Sequence, residues 1–230
     1  MAKKSLNKDY KIEKKDYYFI ITSSSKIPTT PKGNPITNKN ERLVQLIIDD
    51  LKTNQTANPE IFGYYSIYCT YCDFFLSNDN PMSIDEFRQI IESDLSLNLV
   101  AGPECIDQIN FFDALTDFLE HAKIQHTIYG WTESFEKIVH YFFDLFNQLT
   151  PIQKACAVNS SQVHGSMLYG ILLAMGKCTT EQYAKAMAGG NCIIPEVFEH
   201  VSDNELSNAM KHFGFEAKIL KTYMEHADIQ

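Results

Sequence analysis

The chain has 230 residues, of which 44% are hydrophobic and 12% aromatic, and its formal net charge is −9. This composition excludes a disordered chain, because disordered chains are poor in aromatic residues. Its apolar runs are shorter than the ~20 residues that a membrane-spanning helix needs, so we expect no membrane insertion. Residues 1–60 carry eleven Lys and Arg against seven acidic residues, whereas residues 61–230 carry nine against twenty-two. An acidic body disfavours nucleic acid as the main partner.

The N-terminal part of the chain reads as a flexible basic segment, residues 1–16, followed by short strands. Tyr17–Thr22 is rich in β-forming residues, and Lys26–Thr30 and Ile36-Thr37 are two shorter runs. Between the last two lies Pro31-Lys32-Gly33-Asn34-Pro35, which is a strong turn signal. We therefore predict a small antiparallel sheet.

One helix completes this lobe, which we assign to residues 17–58. Asn38 is the predicted start, with Glu41 three residues later in capping-box position. Apolar residues then recur at helical spacing on one face: Leu43, Val44, Ile47, Ile48 and Leu51. The helix is expected to end near Asn54-Gln55.

Residues 59–230 are predicted to form a larger all-helical lobe. Ile61–Leu76 is apolar on nearly all sides, so we expect a buried helix. Helix starts are marked by Ser83 with Glu86, by Thr150 with Pro151, by Thr179 with Gln182, by Pro195, and by Ser202 with Glu205. The helix after Thr179 is expected to end at Gly189-Gly190, and Gly214 to interrupt the last one. The predicted fold class is α+β.

The motifs that could indicate catalysis or metal binding lack the position or the spacing that such sites need. Cys69-Thr-Tyr-Cys72 lies inside an apolar helix rather than at a helix N-terminus, so core packing is the preferred interpretation. Gly170 and Gly176 are one residue too far apart for a phosphate-binding loop. Gly165-Ser166 lacks the pattern of a nucleophile elbow and is expected to allow a close helix approach. We expect no catalytic residue, no cofactor and no metal.

The order of several segments resembles a known family. The strand pair, the Thr30–Pro35 turn and the helix ending in Asp50-Leu51 with Gln55 are similar to the N-terminal lobe of the ATP synthase F1-sector assembly chaperones that bind the alpha subunit, the mitochondrial assembly factor 2 or "ATP-twelve" family. Further similarities, in the same order over residues 17–192, are Ser93–Leu95, Phe112–Leu115, Gly165–Leu168, Gly176 and Thr179–Ala184. Leu51 and Phe112 replace tryptophans of that family, and Gly189–Asn191 replaces an acidic pair.

The resemblance implies a non-enzymatic chaperone that holds the unassembled alpha subunit until it pairs with beta. It also implies a client-binding surface that includes Thr30, Pro31, Gly33, Asn34, Pro35, Asp50, Gln55 and Ser166. The alternative interpretation is that these residues serve only the fold, as a turn, a cap and a tight helix crossing. We expect a monomer in a bacterial cytoplasm, or in the mitochondrial matrix if the source is eukaryotic. Two alternatives remain: a helical adaptor with a different client, and a small enzyme with an unrecognised site at the lobe junction.

Overall fold

The computed structural model describes residues 9–23, 27–76, 81–98, 111–124, 133–192 and 202–227. In these residues the strands are β1 (Tyr10–Lys15), β2 (Tyr18–Ser23) and β3 (Thr37–Asn38). The α-helices are α1 (Glu41–Asn54), α2 (Tyr64–Thr70), α3 (Ile84–Glu92), α4 (Leu95–Asn98), α5 (Asp113–His121), α6 (Glu133–Gln148), α7 (Pro151–His164), α8 (Met167–Ala174), α9 (Thr180–Cys192) and α10 (Asp203–Ala227). A π-helical turn, Tyr71–Phe75, continues α2. The predicted α+β class is confirmed.

The strands form one antiparallel sheet in the order β1-β2-β3. Its first strand lies in the segment that was expected to be flexible, residues 1–16, so that expectation is wrong for residues 10–15. Tyr10 and Ile12 alternate with charged residues, and Tyr10 is buried while Ile12 packs against the core. The segment contains six lysines, and this high charge favoured the prediction of a flexible terminus. The alternation of apolar and charged residues from Tyr10 is instead the two-residue period of a half-buried strand.

The strand predicted at Lys26–Thr30 is also wrong. Of its described residues, 27–30, only Thr29 makes a bridge, to Pro35. The side chain of Thr30 is instead committed to the turn and to a carboxylate on the far side of it, as described below. These local bonds compete with the ladder of a strand.

Helix α1 begins later than predicted. Asn38 belongs to β3, and its side-chain oxygen accepts from the N–H of Asn40 at 2.7 Å. Asn40 is the N-cap, accepting from the N–H of Arg42 at 2.9 Å. The predicted apolar face of α1 is confirmed as part of the core: Leu43, Val44, Ile47, Ile48 and Leu51 are all buried.

Three of the predicted caps are confirmed as capping boxes: Ser83 with Glu86, Thr150 with Gln153 beside Pro151, and Thr179 with Gln182. Ser202 and Glu205 make the same reciprocal bonds at the start of α10. The helix predicted at Pro195 lies outside the described residues. Because such caps are local, they can be read from four consecutive residues.

Two glycines differ from their predicted roles. Gly214 does not interrupt α10, because a helix interior tolerates a single glycine. This glycine faces α9: a Cβ added to it would lie 3.6 Å from the Cβ of Ala184. Gly165, with φ of 79°, ends α7. The close helix approach expected there occurs instead at Gly170 of α8, where an added Cβ would lie 2.8 Å from the Cα of Ala157.

None of the described helices is both long enough and apolar enough to cross a membrane.

Candidate functional site

The turn Thr30–Pro35 is closed by its own backbone. The N–H of Gly33 donates to the carbonyl of Thr30 at 2.9 Å, and the N–H of Thr30 donates to the carbonyl of Asn34 at 2.9 Å. Gly33 has a φ of 86°, which explains why glycine occupies this position. The turn predicted from Pro31–Pro35 is therefore present, and two backbone hydrogen bonds and the positive φ of Gly33 fix its conformation.

A single carboxylate fastens this turn to the π-helical turn that continues α2. Asp73, on the π-helical turn, accepts from the hydroxyl of Thr30 at 2.5 Å, from the amide of Asn34 at 2.8 Å and from the backbone N–H of Lys32 at 3.1 Å. The Lys32 ammonium donates to the backbone carbonyl of Asp73. Thr30 and Asp73 are 2% and 3% exposed. The Thr30 hydroxyl and the side-chain nitrogen of Asn34 are therefore both bonded inside the protein.

Two tyrosines of α2 hold the flanks of the turn. The Tyr65 hydroxyl donates to the carbonyl of Thr29 at 2.7 Å, and the Tyr68 hydroxyl donates to the carbonyl of Pro35 at 2.9 Å. Burial raises the pKa of both phenols, so both remain donors at any ordinary pH. The turn is thus anchored at both ends and in the middle.

The outer side of this arrangement faces solvent. Pro31, Lys32 and Gly33 are exposed, and the Phe74 side chain next to Asp73 is 62% exposed. The Lys32 ammonium lies 4.8 Å from the centre of the Phe74 ring, a distance typical of a cation–π contact. We call these four residues the turn surface. It places an aromatic ring and a cation on a rigid base.

Asp50 serves the adjacent helix. Its carboxylate accepts from the N–H of Tyr65 at 2.9 Å and from the amide of Asn54 at 2.9 Å, so it caps α2. Burial raises the pKa of Asp50, and these two bonds partly offset that effect. Gly63 is needed because an added Cβ would lie 2.4 Å from this carboxylate. Gln55, by contrast, is exposed and ends α1 with a φ of 53°.

Ser166 is completely buried. Its hydroxyl caps α8 by accepting from the N–H of Tyr169 at 3.2 Å. Asp94 assists by accepting from Met167 and Leu168 at 2.7 and 3.0 Å and from Ser96 at the start of α4. Burial raises the pKa of Asp94, against the lowering effect of these bonds. In this conformation Ser166 builds the fold and is not accessible to a partner.

The Cys69 and Cys72 thiols are free and buried among core residues, as the packing interpretation predicts. Burial raises their pKa values to about 12 and about 11. A reactive or metal-binding thiol needs the opposite shift. Within the described residues no group of three or more His, Cys, Asp and Glu side chains has a metal-binding arrangement.

The sequence interpretation found the turn but missed Asp73 and Phe74. A signal was available, because Asp73 is the one charged residue between Ile61 and Leu76. A lone carboxylate in an apolar helix needs partners. The π-helical turn itself, a type that often occurs at functional sites, has no comparable sequence signal.

The structure resembles that of a point mutant of Atp12p from P. denitrificans, with a TM-score of 0.57, 12% sequence identity and coverage of 95% of each chain. No protein-family model and no curated protein matches the chain. The resemblance read from the sequence is confirmed at the level of the fold. The chain therefore has the fold of Atp12p.

Proposed function

We propose that this protein is an ATP synthase assembly chaperone that holds the unassembled alpha subunit until it pairs with beta, in a bacterial cytoplasm or a mitochondrial matrix. The observation that carries the proposal is the match to the Atp12p fold over 95% of both chains. The ordered similarity of motifs over residues 17–192 supports the same assignment. A chaperone that holds a subunit requires a binding surface and no catalytic centre.

The physical basis is the surface that an unassembled subunit exposes. A subunit that normally packs against a neighbour carries an apolar patch, and such patches aggregate while the neighbour is missing. A chaperone covers the patch reversibly and yields to the true partner. Binding of this kind needs neither ATP nor a metal.

The turn surface is the proposed contact on this chain. Its Phe74 ring can insert into an apolar patch, and aromatic side chains of this type often dominate interface energies. Because Asp73 and the two tyrosines fix the base, little conformational entropy is lost on binding. Pro31, Gly33 and the exposed Pro35 are then direct contacts, and Thr30 and Asn34 support them from behind. Asp50 acts indirectly, because it caps the helix that carries Tyr65. Gln55 is a second, separate candidate contact.

The test is suppression of aggregation. The purified protein is mixed with the alpha subunit of its own organism, without nucleotide, and light scattering is followed before and after adding beta. We expect suppression by the chaperone and its release by beta. Absence of suppression by well-folded protein contradicts the proposal and favours a helical adaptor with a different client.

A matched pair of variants locates the contact. Phe74→Ala removes an aromatic side chain that is 62% exposed, and Phe215→Ala removes one that is 65% exposed on α10. We expect Phe74→Ala to weaken alpha binding about fivefold or more, as for an interface anchor. Phe215→Ala should leave it unchanged. Equal effects of the two variants contradict the assignment of the turn surface.

A further inference from the structure

A buried polar cluster joins three helices of the helical lobe. His164, at the end of α7, is 1% exposed, and its Nε2 lies 2.8 Å from Oε2 of Glu216 on α10. Its Nδ1 lies 2.5 Å from the hydroxyl of Tyr183 on α9. That hydroxyl lies 2.6 Å from Oγ of Ser160, which lies 2.6 Å from the carbonyl of Ser166.

The protons of this chain can be assigned one at a time. A carbonyl only accepts, so Ser160 must donate its hydroxyl proton to Ser166. The contact between Ser160 and Tyr183 then requires the proton of Tyr183. Burial raises the pKa of that phenol far above its ordinary value, so the proton is present. With both hydroxyl protons used, Nδ1 of His164 must donate to Tyr183.

The other ring nitrogen faces Glu216. If Nδ1 carries a proton and the ring is neutral, Nε2 presents a lone pair to a carboxylate oxygen at 2.8 Å, which is repulsive. If Nε2 also carries a proton, the same contact is an ion pair. We propose that the His164–Glu216 pair is a proton-dependent latch, which fastens α10 to α7 and α9 when His164 carries both ring protons.

The surroundings of the ring define which other groups can titrate with it. Tyr183 faces it from α9, and Glu216 faces it from α10. His212, also on α10, has a 65% exposed side chain and lies 3.4 Å from the same Glu216 oxygen. The aromatic residues Phe62 and Phe213 also contact the ring. His212 is therefore the group that must be separated from His164 by experiment.

The direction of the pH dependence follows from the proton count. When α10 is attached, the His164–Glu216 contact needs a proton on Nε2; when α10 is detached, that proton is not needed. The detached state therefore binds fewer protons, and a rise in pH favours it. The latch should thus hold at lower pH and loosen as the pH rises.

Amide hydrogen exchange measures the detachment. Protection factors, which are already corrected for the intrinsic pH dependence of exchange, are compared for Ala217–Met224 of α10 and Val139–Leu145 of α6 between pH 6 and pH 8. For release of one proton we expect α10 protection to fall by up to about tenfold per pH unit. Protection in α6 should stay constant. A pH-independent α10 overturns the proposal.

Three variants assign the proton. Glu216→Gln replaces the carboxylate by an amide that can donate to an unprotonated Nε2, so the pH dependence should disappear. Glu225→Gln removes the same charge from an exposed position of α10 and should keep it. His212→Gln should keep it too. Loss of the dependence in His212→Gln, or its persistence in Glu216→Gln, overturns the proposal.

A measurement on the unmodified protein covers the case in which Glu216→Gln does not fold. Nitrogen-15 NMR distinguishes a ring with two protonated nitrogens from a neutral tautomer. We expect the first pattern for His164 at pH 6, with slow exchange of the ring protons because the residue is buried. A neutral ring at that pH overturns the proposal.

Discussion

Replacing Asp73 by alanine tests how firmly the Thr30–Pro35 turn is fastened to the π-helical turn that carries Asp73. The variant removes three hydrogen bonds to one carboxylate and leaves the Thr30 hydroxyl, which is 2% exposed, without its acceptor. Bonds to a charged group contribute about 1.5–3 kcal/mol each, but the turn can detach and let water replace them, so we expect a loss of about 3 kcal/mol rather than the sum. Tyr65 and Tyr68 still hold the flanks, so the fold itself should persist.

Urea unfolding followed by circular dichroism measures this loss as a lower midpoint at an unchanged slope. Asp144→Ala, on an exposed position of α6, is the control and should change stability by no more than ~0.5 kcal/mol. A double-mutant cycle with Thr30→Val should give a coupling of about 1 kcal/mol or more. If Asp73→Ala loses less than ~1 kcal/mol, or if the cycle shows no coupling, the carboxylate does not hold the turn.

Three further expectations use the same unfolding measurement. Asn34→Asp should cost about 2 kcal/mol at neutral pH, because it removes a donor and sets a second carboxylate beside Asp73, and part of this loss should be recovered at pH 3. Gly170→Ala should cost about 1–3 kcal/mol, since its Cβ would meet the Ala157 backbone at 2.8 Å. Burial raises the pKa of Asp50, so the folded state binds the proton of this carboxyl group more tightly than the unfolded state does. The stability that this proton binding contributes is present below pH 3.8 and is lost as the pH rises above it. Asp50→Asn should thus compare more favourably with wild type at pH 7 than at pH 3, and the opposite order would contradict this.

Features that depend on neighbouring residues could be predicted from the sequence. The capping boxes at Ser83, Thr150 and Thr179 need only four consecutive residues, and each is present. The apolar face of α1 and the buried Cys69 and Cys72 follow from spacing and composition, and both predictions are confirmed.

Features that depend on distant partners could not be predicted. The bond from Thr30 to Asp73 spans 43 positions, and nothing near Thr30 indicates that its hydroxyl points inward. The burial of Ser166 could not be predicted either, because it depends on how α7 and α8 cross at Gly170. A residue shared with a family motif can therefore be a support of the fold, and only the structure separates it from an exposed residue such as Lys32 or Phe74.

The shared cap at Asp94 has a consequence for the order in which the chain folds. The carboxylate bonds the first amides of both α4 and α8, although 73 positions separate it from Met167. During synthesis Asp94 leaves the ribosome well before α8 and stays hydrated until those amides arrive. An α8 docked in the wrong place would leave Oδ2 of this buried carboxylate without the N–H groups of Met167 and Leu168, which is costly. The bonds from Met167 and Leu168 to Asp94 thus favour the native docking position of the apolar α8 over positions that offer its first amides no acceptor.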